Sequence, residues 1–152
     1  MRILILSRNV EGYKGAFYQS DFLSALCRRH ECSFYGPGFQ LFDPTDDLES
    51  IREKVAPEPD FILVAHTWLT DKIDSPLSPN PALDLSQSVI PVVFILNKEY
   101  TRFEEKITWA EQNRIRLLFS HHHDIQKLAA GRNLHCEFMP FAFSSQRFWM
   151  SD

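Results

Sequence analysis

The side chains able to do chemistry stand in four polar clusters, each placed where an apolar run stops. His66 with Thr67 and Trp68 follows Phe61-Ile62-Leu63-Val64-Ala65. Ser7-Arg8-Asn9 follows Ile3-Leu4-Ile5-Leu6, Asn97-Lys98-Glu99 follows Val92-Val93-Phe94-Ile95-Leu96, and Ser120-His121-His122-His123-Asp124 follows Leu117-Leu118-Phe119. A histidine at the end of a buried strand can act as a general base or hydrogen-bond a ligand. It can equally cap the strand and hold a neighbouring loop. Asn97 and Lys98 suit either a hydroxyl-rich ligand or the start of a solvated loop. The triple histidine invites a metal reading. Consecutive residues leaving a strand point in alternating directions, and zinc sites more often use spaced Cys and His, so no metal is expected. At least one imidazole, taken as His121, should face the ligand edge, with the rest of the cluster peripheral. Asp124 should cap the next helix.

Short apolar runs separated by helical stretches are the pattern of a parallel sheet covered on both faces. Strands are predicted over 2–7, 31–35, 61–65, 90–96, 115–120 and 136–141. Helices are predicted over 16–29, 48–55, 103–113 and 124–130, with Asp47 as an N-cap. Residues 70–88, rich in Pro, Asp and Ser, form a long surface excursion with a short helix near Leu83. The order is βαβαβ twice. It predicts an α/β fold: one doubly wound, mostly parallel, six-stranded Rossmann-like sheet of order 3-2-1-4-5-6. The switch point then falls between strands one and four, and ligands bind beyond the carboxyl ends of the strands.

At 152 residues the chain is one domain with room for a core. A net charge of -4, with no Lys or Arg run, argues against nucleic acid as a partner. No apolar run reaches membrane length, and the expected location is cytoplasmic. Cys27, Cys32 and Cys136 lack a CxxC pattern and read as reduced thiols. Thirteen phenylalanines suggest a bulky core or a surface that meets a partner.

The loop after the first strand, Asn9 to Gly15, is the usual ligand loop of this architecture. It holds only Gly12 and Gly15, not the GxGxxG of a dinucleotide site, and there is no phosphate-cradling GxxxxGK[ST]. The acidic residues that a phosphate-accepting receiver domain carries after its first strand are replaced by Ser7-Arg8-Asn9. What is left is a loop whose glycines let a ligand approach the start of the next helix. No Gly-x-Ser-x-Gly, Cys/His nucleophile pair or spaced acidic pair is present.

Four stretches carry a family likeness. They are Met1-Arg2-Ile3-Leu4-Ile5-Leu6 with its glycine-containing loop, Pro59-Asp60 leading through 61–65 to His66, Ile90-Pro91 leading to Asn97, and Met139-Pro140-Phe141 running on to Phe148. In these the chain resembles the N-terminal Rossmann-like domain of GT-B glycosyltransferases, most closely the glycosyltransferase-4 and CgeB-like groups. The resemblance implies that residues 1–152 are the acceptor-side half of a transferase that moves a sugar from a nucleotide-sugar donor to a hydroxyl acceptor. The donor-binding C-terminal domain is then not contained in these residues, and this half alone is inactive. No cofactor is implied beyond the donor substrate. His66 becomes the catalytic base or acceptor anchor, and Asn9, Gly12, Gly15, Asn97, Lys98 and His121 the substrate-binding set. The partners are a glycan-type acceptor and either a donor domain or a second copy. The competing expectation is a non-catalytic Rossmann-like binding or interaction domain, with the aromatic stretch from Phe138 to Trp149 as its contact surface.

Overall fold

The structure, a computed structural model, describes residues 1–10 and 17–141. Its elements are β1 (Arg2–Leu6), α1 (Phe17–Cys27), β2 (Glu31–Tyr35), α2 (Leu48–Val55), β3 (Phe61–Val64), β4 (Val92–Leu96), α3 (Phe103–Gln112), β5 (Leu117–Ser120), α4 (Ile125–Leu128) and β6 (His135–Phe138). All neighbouring strands pair in parallel in one six-stranded sheet. The fold class is the one predicted, a Rossmann-like α/β sheet with helices between its strands. Among the described residues no helix is long and apolar enough to cross a membrane.

The strand order is β2-β1-β3-β4-β5-β6, not 3-2-1-4-5-6. Burial explains the difference. Phe61-Ile62-Leu63-Val64 is almost wholly buried, which requires a neighbour on either side. Glu31-Cys32-Ser33-Phe34 is exposed or half-buried and tolerates the edge. The switch point therefore lies between β1 and β3, and His66 stands directly beside it.

Strand alternation divides the core into two layers. Leu4, Leu6, Ile62, Val64, Phe94 and Leu96 pack against Ile51 of α2, Ile107 and Ala110 of α3, and Ile125 of α4. Ile3, Ile5, Leu63, Ala65 and Ile95 face Phe22, Leu23 and Leu26 of α1. Burying one such Leu or Ile stabilises by roughly 1.5–3 kcal/mol, so these layers hold the strand ends rigidly enough to build a site on them.

Two local sequence signals act differently. Asp47 caps α2 as expected, its Oδ1 accepting the Ser50 amide at 2.8 Å. Asp124 does not cap α4; its carboxylate turns to Lys127 and His123 instead. The helix expected near Leu83 is also absent. There Asn80 makes an Asx turn, its Oδ1 accepting the amides of Ala82 and Leu83, while its Nδ2 donates to the Asp46 carbonyl. Leu83 and Leu85 are thereby driven into the core without helical backbone. Asn80 is buried, so Asn80→Ala should destabilise by about 2 kcal/mol in urea unfolding, through three lost partners. A loss within measurement error would show that water replaces the side chain.

The turn after β2 also shapes the site edge. Gly36 has φ 146°, and a Cβ there would meet the Ser7 carbonyl oxygen at 2.0 Å. Only glycine lets this turn lie against the end of β1.

Candidate functional site

The register aligns the carboxyl ends. Leu6 pairs with Val64, Val64 with Phe94 and Leu96 with Ser120. Continuing two residues sets His66 level with Leu96 and Ser120. The polar clusters after β1, β3 and β4 consequently line a cleft of about 540 Å³ at the switch point. Arg8, His66, Thr67, Asn97 and Lys98 come from the strand ends, Tyr18 and Gln19 from α1, and Asp71 from the excursion after β3. The volume falls within the roughly 300–1,000 Å³ of small-molecule sites. Another hollow, about 490 Å³, lies at the opposite edge by Met1, Arg28 and Asp60, away from the strand ends where ligands bind in this fold.

His66, Asn97 and Lys98 thus meet as expected. Asn9 does not join them: its amide nitrogen donates to Pro37 and its Nδ2 to Gly38, on the β2 side. Gly12 and Gly15 lie outside the described residues. His121 is not peripheral, contrary to the reading of its cluster. It reaches across the end of β4 and places its Nε2 2.9 Å from His66 Nε2.

Partner chemistry assigns the protons of this pair. His121 Nδ1 is 2.7 Å from the Met139 carbonyl, which can only accept, so that nitrogen carries hydrogen. In a neutral ring His121 Nε2 is then a bare lone pair, and His66 donates to it from Nε2. The lone pair of His66 falls on Nδ1, which is buried and has no hydrogen-bond partner among the described residues. The rings are within 8° of parallel with centroids 5.1 Å apart. Each nitrogen lies little more than an ångström from its own ring centre, so a 2.9 Å gap accounts for that separation only if the rings meet end to end. The contact is an in-line N–H···N bond. A zinc ion, needing about 2.0–2.1 Å to each nitrogen, would sit well off that line.

Burial sets the protonation state. Desolvation, and secondarily the neighbouring His121, pushes His66 down to about 3. His121 is also lowered by burial, with the Met139 carbonyl and Glu99 opposing. Both rings are neutral near pH 7. Aromatic walls enclose them: Tyr18 makes edge contacts with His66 and His121, Phe22 with His66, and Phe141 stacks on His121 at 4.1 Å. Part of the aromatic stretch expected as a partner surface therefore covers the chain's own site. Phe143, Phe148 and Trp149 lie outside the described residues.

Several functional residues carry little signal in the sequence. Tyr18 donates to Asn97 Oδ1 at 3.0 Å and accepts from Gln19 Nε2 at 2.9 Å. The other Gln19 atom, Oε1, is buried without a partner among the described residues. Lys106, 2% exposed, runs from α3 beneath the cleft floor and donates to Asp71 Oδ1 at 2.6 Å and to the Asn97 carbonyl at 2.7 Å. The alternating pattern of α1 and α3 hints at inward faces but not at these polar occupants.

His122, His123 and Asp124 bring one donor atom each within 4.8 Å of one another. The expected alternation separates His121 from this set. It does not separate His122 from His123, whose rings stack at 5.0 Å because the chain has left the strand at Ser120. His122 Nδ1 already accepts the Asp124 amide, and Asp124 is paired with Lys127.

No family model, curated protein or solved structure matches this chain.

Proposed function

We propose that the cleft receives a hydroxyl-rich, sugar-type acceptor, and that the chain is the acceptor-side half of a glycosyltransferase whose nucleotide-sugar donor is held by a further domain. The observation that carries the acceptor reading is a pair of buried lone pairs on the cleft wall, His66 Nδ1 and Gln19 Oε1, neither with a hydrogen-bond partner among the described residues. A buried acceptor left unsatisfied costs about 1–3 kcal/mol. Hydroxyl groups are the donors that relieve it, and a polyol offers several at once. Both atoms are covered, so a ligand must first move a covering side chain. Tyr18 is the one placed to move, since its ring packs on His66 and its hydroxyl is tied to Gln19 and Asn97.

In the complete enzyme the acceptor oxygen bonds to the anomeric carbon as the sugar–phosphate bond breaks. The acceptor proton passes to His66 Nδ1, and the His66 Nε2 proton moves on to His121 Nε2. The positive charge then rests on His121, where Glu99 offsets it and the Met139 carbonyl keeps its hydrogen bond. His66, costly to protonate in place, acts as a conduit more than a store.

A thermal-shift screen tests this. A neutral mono- or disaccharide acceptor at about ten times its dissociation constant should stabilise the chain by roughly 1.4 kcal/mol, or about 3–6 °C. Nucleotide sugars should stabilise it by less than the acceptor does. Strong stabilisation by a nucleotide sugar, or none by any saccharide, would overturn the assignment.

A non-catalytic interaction domain is the second reading. Phe138 and Phe141 favour it, each 48% exposed at the end of β6. Concentration-dependent dimerisation that Phe138→Ser abolishes, without any saccharide binding, would decide for it.

A further inference from the structure

We infer that the ligand of this cleft carries an anionic substituent, a phosphate or a carboxylate, held at the switch point by Arg8. The inference rests on the acceptor reading above and adds a chemical class to it. Among the described residues three cations, Arg8, Lys72 and Lys98, line the cleft against one carboxylate, Asp71. The chain as a whole carries a net charge of -4, so the cleft reverses the sign of the molecule around it. The one carboxylate is already neutralised, by Lys106 at 2.6 Å from beneath and by Lys98 at 3.2 Å from the rim. Glu99, the next carboxylate along the same edge, accepts the buried Ser120 hydroxyl and lies off the cleft lining.

Arg8 and Lys72 form no ion pair among the described residues. Arg2, Arg52, Arg102 and Arg132 reach carboxylates, while Arg28, Arg29, Arg114 and Arg116, which form no ion pair among the described residues, lie away from this cleft. Arg8 is instead presented on a fixed stem. Its amide donates to Thr67 Oγ1 at 2.9 Å, and that hydroxyl turns back towards the Arg8 carbonyl at 3.4 Å. The guanidinium therefore leaves from the junction of β1 and β3. A planar five-donor fork on this half-buried residue, without an ion pair among the described residues, fits the bidentate geometry of a phosphate or carboxylate. A cleft with an excess of one charge sign also draws in ligands of the opposite sign. Hydroxyls for His66 and Gln19 and an anionic group for Arg8 describe an acidic or phosphorylated sugar.

The test is an amide-shift NMR titration of the 152-residue chain with glucose, glucose 6-phosphate, glucuronate and inorganic phosphate, at low and at physiological salt. Glucose 6-phosphate or glucuronate should bind at least about tenfold more tightly than glucose. Raising the salt should weaken binding of the charged probes and leave glucose unchanged. Arg8→Gln should remove that advantage, and Lys72→Gln should reduce it less. Neither residue supports the core, so folding is retained in both, as the unperturbed amide spectrum will verify. The two charged sugars distinguish phosphate from carboxylate. Equal binding of glucose and both charged sugars would overturn the anionic class and leave the acceptor reading standing. Arg8-dependent binding of inorganic phosphate with no sugar binding would support the anion site and overturn the acceptor reading. No response to any probe would overturn both.

Discussion

Lys106→Met should cost about 3 kcal/mol of stability and lower the melting temperature by roughly 6–12 °C. The figure follows from what the ammonium does. Lys106 is 2% exposed, and its three donors reach Asp71 Oδ1, the Asn97 carbonyl and the Lys98 carbonyl. Those contacts fasten the end of β4 to the excursion after β3. They act where the backbone is irregular, since Lys98 has φ 51° and Arg102, just before α3, φ 53°. Methionine fills the same space but leaves two carbonyls without their donor. Asp71 keeps Lys98 at 3.2 Å, which is why the expected loss sits at the low end for a broken buried pair. Removing both charges, Lys106→Met with Asp71→Asn, should therefore cost less than the two single losses added together. Urea unfolding of the four proteins measures this. A loss under about 1 kcal/mol for Lys106→Met would show that the pair merely offsets its own desolvation.

How far such a feature can be read in advance depends on whether the cue is local. The strands announce themselves because an unbroken apolar run has nowhere else to go, and Asp47 because a carboxylate three residues before an amide is a local event. His66 is legible for the same reason: it is the first titratable group beyond the most buried strand. Strand order is not local. It turns on which strand can bear the edge, and the weight of Glu31, Cys32 and Ser33 against the apolar β3 settles it. The partnership of His66 with His121 depends on that order together with the register across β4. Lys106 sits in Phe-Glu-Glu-Lys-Ile-Thr-Trp, where a lysine reads as a solvent-facing residue. Only the carbonyls freed at the end of β4 call it inward. Arg8 is visible in the sequence, but its lack of an ion pair among the described residues appears only once the surrounding carboxylates are placed.

Acid should unfold this protein through His66, and replacing that ring should blunt the effect. Its value falls from 6.5 to about 3, chiefly because burial penalises the charged form. Above pH 6.5 the ring is neutral whether the chain is folded or not, and the stability is fully present. Between pH 6.5 and 3 the unfolded chain takes up a proton that the folded chain refuses, so stability falls as pH falls. Below about 3 the loss is complete, on the order of 5 kcal/mol. The groups facing the pair do little to spare it. Tyr18 and Phe22 present ring edges, His121 adds its own repulsion if charged, and Glu99 acts on His121. Carboxylates held low, such as Asp43 and Asp47, also weaken the fold on acidification, so the comparison must be with a variant. His66→Phe keeps an aromatic ring against Tyr18 and Phe22 and removes the titration, at the cost of leaving His121 Nε2 without its donor. Between pH 7 and pH 4 the native chain should lose about 3 kcal/mol more than His66→Phe in urea unfolding. Equal losses would mean that His66 takes its proton without unfolding the chain, through an opening that admits water to Nδ1. The same ring would then be an ordinary base at neutral pH, and the handover of its proton to His121 would lose its physical reason.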